Sequence, residues 1–300
     1  MKDQALKLRL MSKNIRQKIE DSIEGKRRKT KVIAVTSGKG GVGKTNFTIN
    51  FGLALIQYGH SVMILDADLG MANVDLVLGI NPDANLYHVL AGNRRLSDII
   101  IEGPQGLQII PGGSGIAELA DLEKEQVWHF ISQLEQLEGK VDILLIDTGA
   151  GISRNVLSFL LAADEVILLT SPEPPAIADA YGVIKAMVKQ QLVKTKKIYL
   201  VVNKVENESE GQIAARKLEM AANKFLNYQL LTLGYLPVDG RVVQSVKDQK
   251  PFILSYPNAK VSYALNTLTA RFCELPVKVN NSNGMISFMQ KAAELFKNIK

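Results

Sequence analysis

The apolar run VIAVTS (32–37) passes directly into Gly38-Lys39-Gly40-Gly41-Val42-Gly43-Lys44-Thr45, and a helical pattern, TNFTINFGLALIQYG, follows over 45–59. Few folds admit that succession. A turn so rich in glycine, set between a buried strand and a helix, has the spacing GxxxxGK[ST] in the strand-loop-helix context the motif requires. Glycine lets successive N–H groups turn inward on an anion without Cβ clashes, and the following helix adds its positive end. Lys44 is placed to bridge β- and γ-phosphates, and the Thr45 hydroxyl to ligate Mg²⁺. Gly38, Lys39, Gly40, Gly41, Val42, Gly43, Lys44, Thr45 and Asn46 form the predicted phosphate cradle.

The same alternation continues along the chain. Further short Val/Ile/Leu runs are SVMILDAD (61–68), GLQIIPGG (106–113), VDILLIDT (141–148), EVILLTS (165–171), KIYLVVNKV (197–205) and LLTLGYLP (230–237). Most are apolar without a period of two, as parallel strands covered on both faces are. Amphipathic stretches such as 123–137 and 211–227 lie between them. Repeated strand and helix predict right-handed crossovers and an open, doubly wound α/β sheet of about seven to eight mostly parallel strands with helices on both faces. Acidic residues end two of these strands, Asp66 and Asp68 in LDADLG and Asp147 in LLIDTGAG, where an open α/β sheet has its ligand crevice.

Charge narrows the partners. The formal net charge is +6, but residues 1–31 hold eleven basic against four acidic residues, or +7, leaving the other 269 at −1. A basic leader on a neutral body disfavours duplex DNA as the ligand. One cysteine, Cys273, excludes a disulfide framework, a CxxC redox pair and a cysteine-held cluster. His60, His88 and His129 show no ligand spacing and read as structural. No apolar stretch approaches the ~18 residues of a membrane span, and no secretory block is visible, so the expected place is the cytoplasm, with any membrane contact peripheral.

With Lys39 ahead of the ordinary P-loop lysine, the loop resembles the deviant Walker A motif, KGGxGK[ST], of the MinD/ParA family of dimeric ATPases. The resemblance covers residues 31–275. It implies an ATP-dependent homodimer in which Lys39 reaches the partner's phosphates, catalysis by Lys39, Lys44 and Asp68, and ATP/ADP with Mg²⁺ as cofactors. It puts Thr45, Asp66 and Asp147 in the Mg²⁺ shell and makes Asp68 the residue that orients the attacking water. Gly70 to Asn73 and Gly149 to Gly151 look like the family's γ-phosphate-sensing segments. The family places base recognition at Asn203 and at Pro237, Val238 and Asp239; a strand-end Asn turn and a Pro-Asp turn read these residues equally well.

Both ends are amphipathic. Leu8, Met11, Ile15 and Ile19 share one face of an N-terminal helix, and Asp3-Gln4-Ala5 followed by Leu8-Arg9 is similar to DQAxxLR, the activator motif of the flagellar-number regulators of the FlhG (YlxH) type. That resemblance implies slow ATP hydrolysis and a partner GTPase of the FlhF type bound through these five residues, with flagellar basal-body or C-ring proteins as further candidates. At the other end, Met285, Phe288, Met289, Leu295, Phe296 and Ile299 share a face beyond the linker-like NNSNG. A basic amphipathic helix of this kind suits the surface of an anionic phospholipid membrane, and MinD-type proteins carry a membrane-targeting helix there; a helix docked permanently on the core has the same pattern. The expected organisation is therefore an activator helix and linker (1–30), an ATPase domain (31–275), a linker (276–284) and a membrane-targeting helix (285–300). Septum-site MinD or DNA-partitioning ParA activity is the alternative.

Overall fold

The computed structural model describes residues 2–23, 29–68, 74–112, 132–133, 136–190, 196–274 and 284–298. The expected helix over 123–137 and the segment Gly70 to Asn73 lie outside them, apart from 132–133 and 136–137 of the former. Eight strands form one sheet in the order β3-β4-β2-β5-β1-β6-β7-β8. They are β1 (Lys31–Ser37), β2 (Val62–Ala67), β3 (Ile101–Glu102), β4 (Gln108–Ile110), β5 (Ile143–Ala150), β6 (Glu165–Thr170), β7 (Lys197–Val205) and β8 (Leu231–Pro237). All neighbours are parallel except β3, a two-residue edge strand antiparallel to β4. So short a strand leaves no sequence signal.

β1 is central, and Val32 to Val35 are fully buried, which is why it reads as an unbroken apolar run. Its alternate residues feed two cores. On one face Ile33 and Val35 pack with α2 (Lys44–Gln57) and α11 (Lys260–Glu274), where Phe47, Phe51 and Phe272 meet ring to ring. On the other, Val32 and Ala34 pack beneath α6 (Arg154–Ala162), α7 (Pro174–Lys189), α8 (Glu208–Leu226) and α12 (Gly284–Asn298). Short helices α3 (Val74–Leu78), α4 (Leu86–Leu90) and α5 (Leu96–Ile99) lie between β2 and β3 in the chain, and α9 (Gly240–Lys247) and α10 (Phe252–Ser255) follow β8.

Local chemistry sets the helix starts. Ser153 caps α6 by accepting from Val156 N, Asn207 caps α8 by accepting from Glu210 N, and Asp239 caps α9 by accepting from Arg241 N. Prolines 174 and 175 occupy the first turn of α7, where a missing N–H costs nothing.

The terminal helices both pack on this body. α1 (Lys2–Ile23) lies against α11 and the turn that ends α2, with Leu10 seated on Tyr58 and Ala270. Of the expected apolar face, Leu8 and Ile15 point outward, Met11 lies against the turn at Gly59, and the side chain of Ile19 lies outside the described residues. α12 shows the reverse. Met285, Phe288, Met289 and Ala292 are buried, Phe288 stacking on Phe159 of α6 with centroids 5.9 Å apart. Leu295 is half-buried on the same core, whereas the side chains of Phe296 and Ile299 lie outside the described residues. Met285, Phe288 and Met289, expected either at a membrane or docked on the core, are docked in this conformation, because the sheet-covering layer beside α6 offers those side chains a dry site within the chain. Glu138 fixes the dock: its carboxylate accepts from Ile286 N at 3.2 Å and from Thr30 N at 2.7 Å, tying the start of α12 to the entry of β1.

Candidate functional site

The loop from Gly38 to Gly43 leaves β1 and enters α2 at the carboxyl edge of the sheet. Gly41 (φ 78°) and Gly43 (φ 92°) take left-handed conformations on either side of Val42, the alternation that turns successive amides toward one point. Gly38 is required for another reason, since a Cβ there would collide with the Asp179–Ala180 backbone of α7.

Four polar side chains converge beneath the loop. Asp147, fully buried within β5, accepts from Thr45 Oγ1 at 2.6 Å, from Thr48 Oγ1 at 3.0 Å and from Lys44 Nζ at 3.1 Å. Lys44 Nζ also lies 3.9 Å from Asp68 Oδ2. Asp66 is in register with Asp147 on the adjacent parallel strand, and its carboxylate accepts from Asp68 N and Val74 N, both at 3.2 Å. A buried ammonium is thereby compensated by carboxylates at the crevice. The residues named from sequence, Lys44, Thr45, Asp66, Asp68 and Asp147, are thus brought together, whereas Thr48 was not anticipated.

Lys39 stands apart. Its side chain is 44% exposed on the rim and pairs with Glu173, at the N-cap of α7, at 3.1 Å. Glu173 was also missed; the Pro174-Pro175 helix start marked its position but not its partner. The candidate base site is partly committed elsewhere. Asn203 Nδ2 donates to Val42 O at 2.8 Å and its Oδ1 accepts from Lys204 N, so one end of the amide serves the loop and the other its own strand. Asp239 caps α9, Val238 is exposed with its N–H on Val205 O, and Pro237 ends β8. Asn46 lies in the first turn of α2, its carbonyl accepting from Asn50 Nδ2.

The donor set fits Mg²⁺. Thr45 and Asp147 offer adjacent hard oxygens, with Asp66 behind, and no group of three or more His, Cys, Asp or Glu able to hold a metal occurs among the described residues. Magnesium held through one or two carboxylates plus substrate phosphates needs no more.

A glycine cradle at the carboxyl edge of a parallel sheet, with lysine, threonine and aspartate in contact beneath it, defines a P-loop NTPase. Residues 30–203 match the family model described as an AAA domain. The antiactivator FleN of Pseudomonas aeruginosa is 35% identical over 263 residues, 88% of this chain and 93% of that protein. The flagellum site-determining protein YlxH of Helicobacter pylori is 34% identical over 249 residues, 80% of each. Among solved structures, the MinD cell division protein of Aquifex aeolicus superposes with a TM-score of 0.65 at 25% identity, covering 81% of this chain and 96% of that one. MinD complexed with Mg-ADP from Pyrococcus horikoshii gives 0.64 at 28%, covering 80% and 94%. The chain belongs to the MinD/ParA-type ATPases, in the group of the flagellar regulators FleN and YlxH (FlhG).

Proposed function

We propose that this chain is an ATP-dependent dimerising switch that regulates flagellar number or placement from the inner face of the cell membrane. The observation that carries the switch is the position of Lys39: it lies on the rim, outside its own cradle, on an exchangeable ion pair with Glu173. A triphosphate enclosed between two protomers needs cationic compensation beyond one lysine, and Lys39 is free to swing to a partner's phosphates. The flagellar assignment rests on the relatives FleN and YlxH.

Phosphoryl transfer is mainly positioning and charge neutralisation. Lys44 now spends its ammonium on Asp147 and Asp68; arriving phosphates take that charge and release Asp147. Thr45 and Asp147, with Asp66, would hold Mg²⁺, which supplies charge neutralisation at the β- and γ-oxygens. Thr48 keeps Asp147 aimed at the loop. Asp68, partly exposed and beside Gly149, orients the attacking water.

Membrane residence follows from release of α12. With Met285, Phe288 and Met289 buried, lipid contact requires undocking. The helix it leaves, α6, begins just after Gly149 to Gly151, where Gly151 N bonds Ser37 O beside the loop, so nucleotide rearrangement there is transmitted to the dock. Two released helices per dimer then add avidity. At the other end, Ala5, Leu8 and Arg9 are exposed on α1, as a helix that stimulates an FlhF-type GTPase needs; the side chains of Asp3 and Gln4 lie outside the described residues.

Asp68→Ala tests the reading. With ATP it should remain dimeric by light scattering, lose turnover and sediment with anionic vesicles. Its shortened form ending at Ser282 should dimerise and stay in the supernatant. Hydrolysis at the normal rate would refute the role of Asp68, and sedimentation that survives the shortening would refute the anchor.

A further inference from the structure

At the end of β7, two consecutive residues grip two consecutive carbonyls of the phosphate loop. Asn203 Nδ2 donates to Val42 O, and Lys204 Nζ donates to Gly41 O, each at 2.8 Å. The strand is reshaped to allow this. The register of β7 on β8 is irregular between Asn203 and Val205, leaving Lys204 without a cross-strand partner, and Lys204 adopts φ 60°, a left-handed conformation that lysine rarely takes. Asn203 Oδ1 holds the turn by accepting from Lys204 N at 2.9 Å. The fit is close, since a Cβ on Gly43 would stand 2.6 Å from Asn203 Nδ2. Bulges and strained residues of this kind concentrate beside functional sites, where they re-aim a side chain.

We propose that Lys204 is a positioning residue for nucleotide binding, the charged half of a brace that holds and polarises the phosphate cradle from behind. Gly41 O belongs to the peptide unit that carries Val42 N–H, and Val42 O to the unit that carries Gly43 N–H. A donor on each carbonyl polarises its amide, and hydrogen bonds in a chain strengthen one another. The brace therefore makes two cradle N–H groups better donors to a phosphate, and an ammonium does so more strongly than a neutral amide. Lys204 is exposed and sits outside the core, so its replacement does not threaten the fold. The inference rests on the nucleotide-binding reading above and deepens it.

The test is binding of a fluorescent N-methylanthraniloyl-ADP with Mg²⁺ to the full chain, together with steady-state ATPase. Lys204→Met should weaken binding about tenfold, through faster release, and raise KM similarly while kcat changes less than about twofold. Lys204→Arg, which keeps a cationic donor, should stay within about threefold of the parent. Lys204→Gly, which removes strain and charge together, should bind as poorly as the Met variant while melting at the same temperature as the parent or higher. Parent-like affinity in Lys204→Met or Lys204→Gly would overturn the brace. A parent chain that binds no nucleotide would instead overturn the ATPase reading, and the brace with it.

Discussion

The two terminal helices are both basic and two-faced, yet they meet the body in opposite ways. α12 hides its apolar face: Phe288 is 1% exposed against Phe159, and Met285 and Ala292 are fully buried. α1 turns Leu8 and Ile15 outward, Leu8 68% exposed, and docks by Leu10, by Met11 against Gly59 and by a row of polar contacts. Lys7 Nζ reaches Gln57 Oε1, Asn14 Nδ2 reaches Tyr58 O and His60 Nε2, and Lys18 Nζ reaches Gly59 O and Asp142. All but the last lie on the turn that ends the P-loop helix. Hydrophobic burial holds one helix; directional bonds, most of them to one turn, hold the other while Leu8 and Ile15 stay exposed. Amphipathicity alone distinguishes neither arrangement.

The contrast breaks most readily at Phe288. Phe288→Ala should cost about 3–5 kcal/mol of α12 docking, the usual range for a buried aromatic. Amide hydrogen exchange on the full chain should then show α12 losing protection while α2 and α11 keep theirs. Unchanged exchange in α12 would mean that its apolar face is not what holds it.

How far sequence reached follows from the same distinction between local and distant causes. The cradle was legible because its geometry is written in consecutive residues: Gly41 and Gly43 must be glycine to turn, and Lys44 and Thr45 follow at fixed spacing. Asp66, Asp68 and Asp147 were legible from strand ends. Thr48, Glu173 and Lys204 were not, because each acquires its role from a residue far along the chain, Asp147, Lys39 and Gly41, 99, 134 and 163 positions away. Orientation of the terminal helices was hidden likewise. A helical wheel puts Leu8, Met11 and Ile15 together, yet Met11 meets Gly59 while the other two are exposed, and Leu10, which docks, looks unremarkable until Tyr58 and Ala270 are in place.

A somewhat smaller effect should separate the helices by pH. His60 lies in the polar dock of α1, and burial lowers its pKa from 6.5 to about 4, against the opposing pull of Asp142 and with help from Lys18 and Lys31. The buried ring stays neutral and accepts from Asn14, with the Cys273 thiol at 3.9 Å. An undocked His60 binds its proton more readily, so docking is at full strength above about pH 6.5 and weakens progressively down to about 4, by up to roughly 3 kcal/mol. Asp142 does not add to this window. Burial would raise its pKa, but the bonds from Lys18 and Ser61 together hold it below the ordinary value, so its ion pair persists. With the pH dependence of intrinsic exchange divided out, the protection of α1 amides should therefore fall between pH 6.5 and 4.5 while that of α12 holds, and His60→Gln should abolish the acid dependence. Parallel loss of protection in both helices would mean general acid loosening and not a response of this dock.

The finest test compares two leucines two positions apart on α1. Leu10 is 8% exposed and touches Tyr58, whereas Leu8 touches solvent. Leu10→Ala should weaken docking by about 2 kcal/mol, the low end for a buried leucine because the site lies at the margin of the body. Leu8→Ala should change it by less than about 0.5 kcal/mol, as surface substitutions do. Function should rank them the other way. If the outward stripe engages a GTPase partner, Leu8→Ala abolishes stimulation of that partner by a helix that remains docked, while Leu10→Ala leaves the stripe intact and frees the helix to reach further. Equal stability losses would show that both faces of α1 are packed. Equal stimulation would show that the outward leucine serves solubility or a different contact.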